Sequence, residues 1–261
     1  MITAASNSRI KRLVQLNQKS KLRRTEDVFL AEGVKMFLEA PREQLQEVYV
    51  SESFLEKCSC REHLEEVGYE VVSDSVFSKI SDTCTPQGVL CVLKQFHYNI
   101  EEMLRGKAPL FLLLENIQDP GNLGTMLRTG EGAGVSGIIM SRDTVDLYNP
   151  KVIRSTMGSI YRVPFYYADD FAAAVHQVQQ AGVSVYAAHL RGKNSYACQD
   201  YTKGTAFLIG NEGNGLREET AELADCYIRI PMEGKVESLN AAVASSILMY
   251  EAHRQRATIE K

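Results

Sequence analysis

Three short stretches of this 261-residue chain gather the side chains that polar chemistry needs. They are Asn116 to Arg128 (NIQDPGNLGTMLR), Ile209 to Leu216 (IGNEGNGL) and Ile230 to Asn240 (IPMEGKVESLN). Each follows an apolar, strand-like run and leads into a helix-like one. In parallel α/β sheets, ligands sit in the crevice outside the carboxyl ends of the strands. The three loops therefore line one crevice if their strands are neighbours. Taken singly, the residues have simpler readings. Asn122 in Asp-Pro-Gly-Asn is a turn former. Glu212 is a favourable charge ahead of a helix beginning at Leu216. Ser238 is the N-cap of a long helix rich in Ala, Leu, Ile and Met, with Asn240 in its first turn. Arg128 is a helix-surface cation. Two other chemistries lack their fingerprint. GNEGNG at 210–215 has the wrong spacing for dinucleotide binding, GEGAG at 130–134 follows a helix instead of a strand, and no Gly-Lys-Ser/Thr is present. His63, His97, His176, His189 and His253 fall outside the three loops and read as surface or packing residues.

The elements that must hold these loops come in two styles. From residue 110 onward, continuous apolar runs alternate with helical patterns: LFLLLEN (110–116), VSGIIMS (135–141), VSVYAAHL (183–190), GTAFLIGNE (204–212) and CYIRIPM (226–232), with helices over 123–134, 171–182, 216–225 and from Ser238. An irregular stretch at 142–164 holds one apparent helix near Lys151 to Met157. Such alternation predicts a mostly parallel sheet covered on both faces. Residues 26–98 read as a smaller α/β unit, opened by FLAEG (29–33) leading into a helix through Lys35, Met36, Phe37 and Leu38, with strands in EVYV (47–50), YEVVS (69–73) and the run after TPQG, and a helix over 51–67. That unit carries no paired carboxylates and no nucleophile–base set. A polar linker at 99–109 separates it from a C-terminal domain at 110–261.

Net charge is −4, yet residues 1–25 carry Arg9, Lys11, Arg12, Lys19, Lys21, Arg23 and Arg24 and no acid. That segment is +7, which leaves −11 for the remainder. A basic arm on an acidic body points to an RNA partner. The same segment reads as an amphipathic helix with Ile10, Leu13, Val14 and Leu16 packed down. Six scattered cysteines form no C-x-x-C pair, so no structural metal is expected and the thiols read as reduced. No apolar run approaches the roughly 18–20 residues of a membrane span, and the N-terminus has no signal-peptide core. A cytoplasmic protein without a membrane partner is the expectation.

Together, the three stretches resemble the SpoU (TrmH) family of RNA ribose 2′-O-methyltransferases, in the SPOUT superfamily. The marker residues are Asn122 and Arg128 in the first stretch, Gly210-Asn211-Glu212 in the second, and Ile230, Pro231, Ser238, Leu239 and Asn240 in the third. The resemblance spans about residues 110–256. It implies a C-terminal sheet closed by a deep trefoil knot, with S-adenosylmethionine held near Gly210, Ile230 and Leu239 largely by main-chain groups. It also implies that Asn122, Arg128, Glu212, Ser238 and Asn240 serve methyl transfer to a ribose 2′-OH of structured RNA, most readily ribosomal RNA, in a homodimer that needs no metal. Because arginine stays protonated, Arg128 is expected to clamp a phosphate instead of acting as a base. The N-terminal half is similar to the ribosomal-protein-like substrate-binding domain attached to many members, with FLAEG as its start. Transfer RNA as the substrate, and a non-catalytic RNA- or ribosome-binding role, remain the alternatives.

Overall fold

The computed structural model describes residues 1–259, which form two compact units. The first comprises Met1–Phe96 together with Asp146–Tyr161, and the second His97–Val145 with Arg162 onward.

In the first unit, β1 (Val28–Glu32), β2 (Leu45–Ser51), β3 (Glu70–Val72) and β4 (Val89–Lys94) form a sheet in the order β1-β4-β2-β3. β4 runs antiparallel to both β1 and β2, and β2 pairs parallel with β3. The basic segment is two helices, Ser8–Gln18 and Ser20–Glu26. Asn7 caps the first by accepting from the Arg9 N–H at 2.9 Å, and Ile10, Leu13 and Leu16 are buried at helical spacing. The helix expected over 51–67 is two, Glu52–Lys57 and Arg61–Val67, interrupted at Cys58 to Cys60. The apparent helix near residue 151 runs Pro150–Thr156 and packs on β1. The sequence pattern places this segment in the 110–261 domain. Instead it belongs to the first unit, where Asp146 pairs with Arg23 at 2.6 Å and the Tyr148 hydroxyl accepts from the Phe96 N–H.

The second unit holds seven parallel strands: β5 (Leu110–Leu114), β6 (Gly137–Ser141), β7 (Phe165–Ala168), β8 (Ser184–Ala188), β9 (Asn194–Ser195), β10 (Thr205–Ile209) and β11 (Cys226–Arg229). Their order is β7-β6-β5-β10-β8-β11-β9. β5, β6 and β10 are buried along their whole length, which is why their sequences are unbroken apolar runs instead of alternating ones. β7 and β9 carry no sequence signal strong enough to be read. Residues 99–109, read as a linker, lie in this unit, where Ile100 and Met103 join its core. The Asp-Pro-Gly-Asn turn is the first turn of a helix, Pro120–Ala133. Asp119 caps it, Pro120 opens it, and left-handed Gly134 ends it. The helix expected over 216–225 shrinks to Glu218–Ala221. The C-terminal helix is Ala241–Ile259 and packs on Pro120–Ala133, with Met249 against Gly130. None of the helices among the described residues is long and apolar enough to cross a membrane.

Candidate active site

The site sits at the carboxyl ends of β5, β10, β8 and β11. Because β10 lies between β5 and β8, and β11 follows β8, the three polar loops emerge on one edge of the sheet. The end of β8, not foreseen as part of the crevice, adds Ala188, His189 and Leu190.

A chain of side-chain hydrogen bonds ties the loops together. The Asn240 amide donates to Asn122 Oδ1 at 3.0 Å, and the Asn122 amide donates to Glu212 Oε1 at 3.0 Å. The same carboxylate accepts the N–H groups of Asp119 (3.0 Å) and Gln118 (3.1 Å). Burial by itself pushes the Glu212 carboxyl up. The Asn122 amide and the two main-chain donors outweigh it and hold the group below the usual carboxylate range. Glu212 thus stays ionised and pins the loop after β5 to the loop after β10.

Asn240 has a second task. Its Oδ1 accepts from the N–H groups of Ala242 (2.9 Å) and Val243 (3.2 Å), so Asn240 is the N-cap of the long C-terminal helix. Ser238 was expected to fill that place. Instead the helix begins at Ala241, and Ser238 is exposed two residues ahead of the cap, with no hydrogen bond among the described residues. Asn is as good a cap as Ser, and the bond from its amide to Asn122 is a long-range contact that local sequence does not reveal.

The loop 210–216 is folded by residues whose local pattern gave no warning of it. Asn211 Oδ1 accepts from Gly213 and Asn214 at 3.0 Å each, while its amide donates to the Asn116 carbonyl at 2.8 Å. Asn211 and Gly215 also exchange main-chain hydrogen bonds. A Cβ on Gly210 would overlap the backbone of Gly215 and Leu216, so only glycine fits under this turn. Behind it, Glu115, 1% exposed, accepts the Arg217 N–H at 2.8 Å and the Thr220 hydroxyl at 2.5 Å, while the Arg217 guanidinium bridges Glu115 and Asp143. A buried carboxylate at a strand end was the available signal for this brace, in the Glu115 that closes LFLLLE.

Gly210, Ile230, Leu239, Glu212 and Ser238 all line one cleft of about 310 Å³. Its apolar wall comes from Ile209, Leu216 and Ile228. Arg128 does not line it. It lies further along the helix that starts at Pro120, exposed, with no ion pair or side-chain hydrogen bond among the described residues. His189 does line the cleft, contrary to the reading of the histidines as remote. Its Nδ1 accepts from the Arg191 N–H at 3.1 Å and its ring packs on Tyr227. Burial, reinforced by Arg191 and opposed by Glu218, holds the imidazole below its ordinary value. Among the described residues, no group of three or more His, Cys, Asp or Glu could hold a metal ion.

Residues 109–250 match the SpoU rRNA methylase family. The chain belongs to the SpoU rRNA methylase family. Residues 7–91 match the MRM3-like substrate binding domain. Among its relatives is the 23S rRNA (guanosine(2553)-2′-O)-methyltransferase RlmP of Bacillus subtilis, 32% identical over 95% of this chain and 97% of the relative. Two solved structures cover 97% of this chain. One is the SpoU methyltransferase AviRb of Streptomyces viridochromogenes in complex with AdoMet, which aligns over 99% of its length at a TM-score of 0.87 and 26% identity. The other is an AdoMet-bound rRNA methyltransferase from Sinorhizobium meliloti, which aligns over 97% of its length at a TM-score of 0.84 and 31% identity. The SpoU match spans all three polar loops, so the hydrogen-bonded Asn240–Asn122–Glu212 chain lies wholly within it.

Proposed function

We propose that this protein is an S-adenosylmethionine-dependent methyltransferase acting on the ribose 2′-OH of ribosomal RNA. The observation that carries the reading is the Asn240–Asn122–Glu212 hydrogen-bond chain, whose Glu212 lines the cleft, within a chain that matches a 23S rRNA 2′-O-methyltransferase over 95% of its length. The cleft fits the donor. Its volume of about 310 Å³ falls in the range of roughly 300–1,000 Å³ typical of small-molecule sites, and Gly210, Ile230 and Leu239 line it beside its apolar walls. When bound, S-adenosylmethionine supplies a methyl group already activated on a sulfonium.

The protein's own residues have the remaining work. Arg128 is always charged and carries no internal partner. It binds a phosphate beside the target ribose and stabilises the oxygen as its proton leaves. Asn122 and Asn240 hold the mouth in register, Glu212 fixes both, and Ser238 faces the RNA. The N-terminal unit binds the RNA through the cations that internal ion pairs leave free. Val243, Ile247 and Tyr250 form a half-exposed to exposed apolar stripe on the C-terminal helix, which supports a homodimer. Family membership supports reading that helix as the segment drawn through a trefoil knot.

Transfer RNA as the substrate is an outcome of the same test. The protein is incubated with radiolabelled S-adenosylmethionine and either 23S rRNA or transfer RNA. Ribose methylation is then mapped in cells with and without the protein, starting at the guanosine named for the Bacillus subtilis relative. Label in 23S rRNA at one ribose is expected. A protein that binds no donor and labels neither RNA would overturn the enzyme reading in favour of a non-catalytic RNA binder.

A further inference from the structure

The cleft carries an electrostatic pattern that its apolar walls do not explain. Its charged side chains are Glu212, Arg229 and Glu237, with His189 beside them. Glu212 is fully engaged by Asn122, Gln118 and Asp119. Arg229 and Glu237 are exposed and make no ion pair or hydrogen bond through their side chains among the described residues. Two unspent charges of opposite sign therefore face one small-molecule cleft. They come from two different segments of its lining, the end of β11 and the loop before the C-terminal helix. Arg229 closes β11, beside the end of β8, where the His189 N–H donates to the Ile228 carbonyl at 3.0 Å. Glu237 directly precedes Ser238 and lies three residues before the Asn240 that joins Asn122, on the segment that carries the proposed RNA-facing residues. The segment 231–239 that carries it makes no hydrogen bond among the described residues, so Glu237 can move onto a ligand.

We propose that Glu237 pairs with the sulfonium of the bound methyl donor and Arg229 with the carboxylate of its methionine tail. The inference rests on the donor assignment above. It adds a side-chain reading of charge to a site otherwise built from backbone and apolar groups. It also gives the cleft a means of telling donor from product. As the ribose oxygen takes the methyl, the carbon–sulfur bond breaks with its electron pair left on sulfur, and the hydroxyl proton passes to water. The sulfonium becomes a neutral thioether, and Glu237 loses its partner while Arg229 keeps its own. The product is released from a site whose acidic lip no longer attracts it.

Calorimetric titration separates the roles, using S-adenosylmethionine, S-adenosylhomocysteine and decarboxylated S-adenosylmethionine as ligands. Glu237→Gln is expected to weaken S-adenosylmethionine about three- to tenfold, in the range of partly solvated ion pairs, and S-adenosylhomocysteine far less. Arg229→Gln is expected to weaken both of those ligands alike and to leave the decarboxylated donor unchanged. Equal weakening of donor and product by Glu237→Gln, or no weakening, would overturn the sulfonium pairing. An effect of Arg229→Gln on the decarboxylated donor, or none on the other two, would overturn the carboxylate pairing. Both side chains are exposed, and matched thermal melts check that the variants fold. Failure of the wild-type protein to bind any of the three ligands would instead count against the donor assignment itself.

Discussion

Arg128 and Glu212 carry charge in two different states, one without an internal partner and one fully engaged. Arg128 has no internal partner, so its guanidinium is free for an anion, and its value lies in a planar fork that lysine lacks. Arg128→Lys is expected to lower kcat about tenfold or more, the equivalent of one charge-assisted hydrogen bond, with donor affinity unchanged. Single-turnover methylation checks this, and near-normal turnover would remove the fork-geometry role. Glu212 is the opposite case, a carboxylate spent on structure. Its folded pKa lies below its unfolded value, so the stability it contributes is present above the ordinary glutamate pKa of about 4.3 and is lost as pH falls through the folded value. Glu212→Gln should therefore melt below wild type at neutral pH, and the gap should narrow between about pH 5 and pH 3. A gap that stays constant across that range would mean the charge contributes nothing.

At the scale of elements, the C-terminal helix depends on one residue for both its start and its place in the site. Asn240 caps the helix with its oxygen and holds Asn122 with its amide. Asn240→Ala should cost about 1 kcal/mol for the cap, plus the loosening of the loop after β5. Ser238→Ala should leave the melting temperature unchanged and affect activity alone. Comparing the two by melting and methyl transfer distinguishes the capping role from the RNA-facing one. If Ser238→Ala also destabilised the protein, Ser238 would be supporting the helix after all. Local sequence favours Ser238 because serine, a polar loop and helix-forming residues coincide there. The helix starts two residues later because Asn240 finds partners on both sides, and one of those partners is 118 residues away.

Across the whole molecule, the seven cations of the N-terminal segment divide into two sets. Arg9 pairs with Glu70, Arg12 with Glu26 and Glu47, and Arg23, 3% exposed, with Asp146. Lys11, Lys19, Lys21 and Arg24 are exposed and have no ion pair among the described residues. Replacing these four with Gln is expected to weaken RNA binding and flatten its salt dependence, by up to about 0.7–0.9 in log–log slope for each phosphate no longer neutralised. Replacing Arg23 should instead unfold the first unit. Filter binding across salt, with melts as a control, reads both. An unchanged slope would show that RNA approaches elsewhere.

How far the sequence reached follows the range of each interaction. The parallel sheet of the second unit was legible because strands buried on both faces must be apolar throughout, and β5, β6 and β10 are. The three polar loops were legible as strand-to-helix mouths, and their marker residues carried the family resemblance. Sequence could not show that β8 inserts between β10 and β11 and brings His189 into the cleft, because strand order is set by pairing between distant segments. Nor could it show that Asp146–Tyr161 packs with the N-terminal unit, since Arg23 and Asp146 meet only in three dimensions. The chain by itself determined which residues are chemically capable. The tertiary structure decided which of them hold the site together and which are left free to act, because a polar side chain's role depends on whether folding has already supplied its partner.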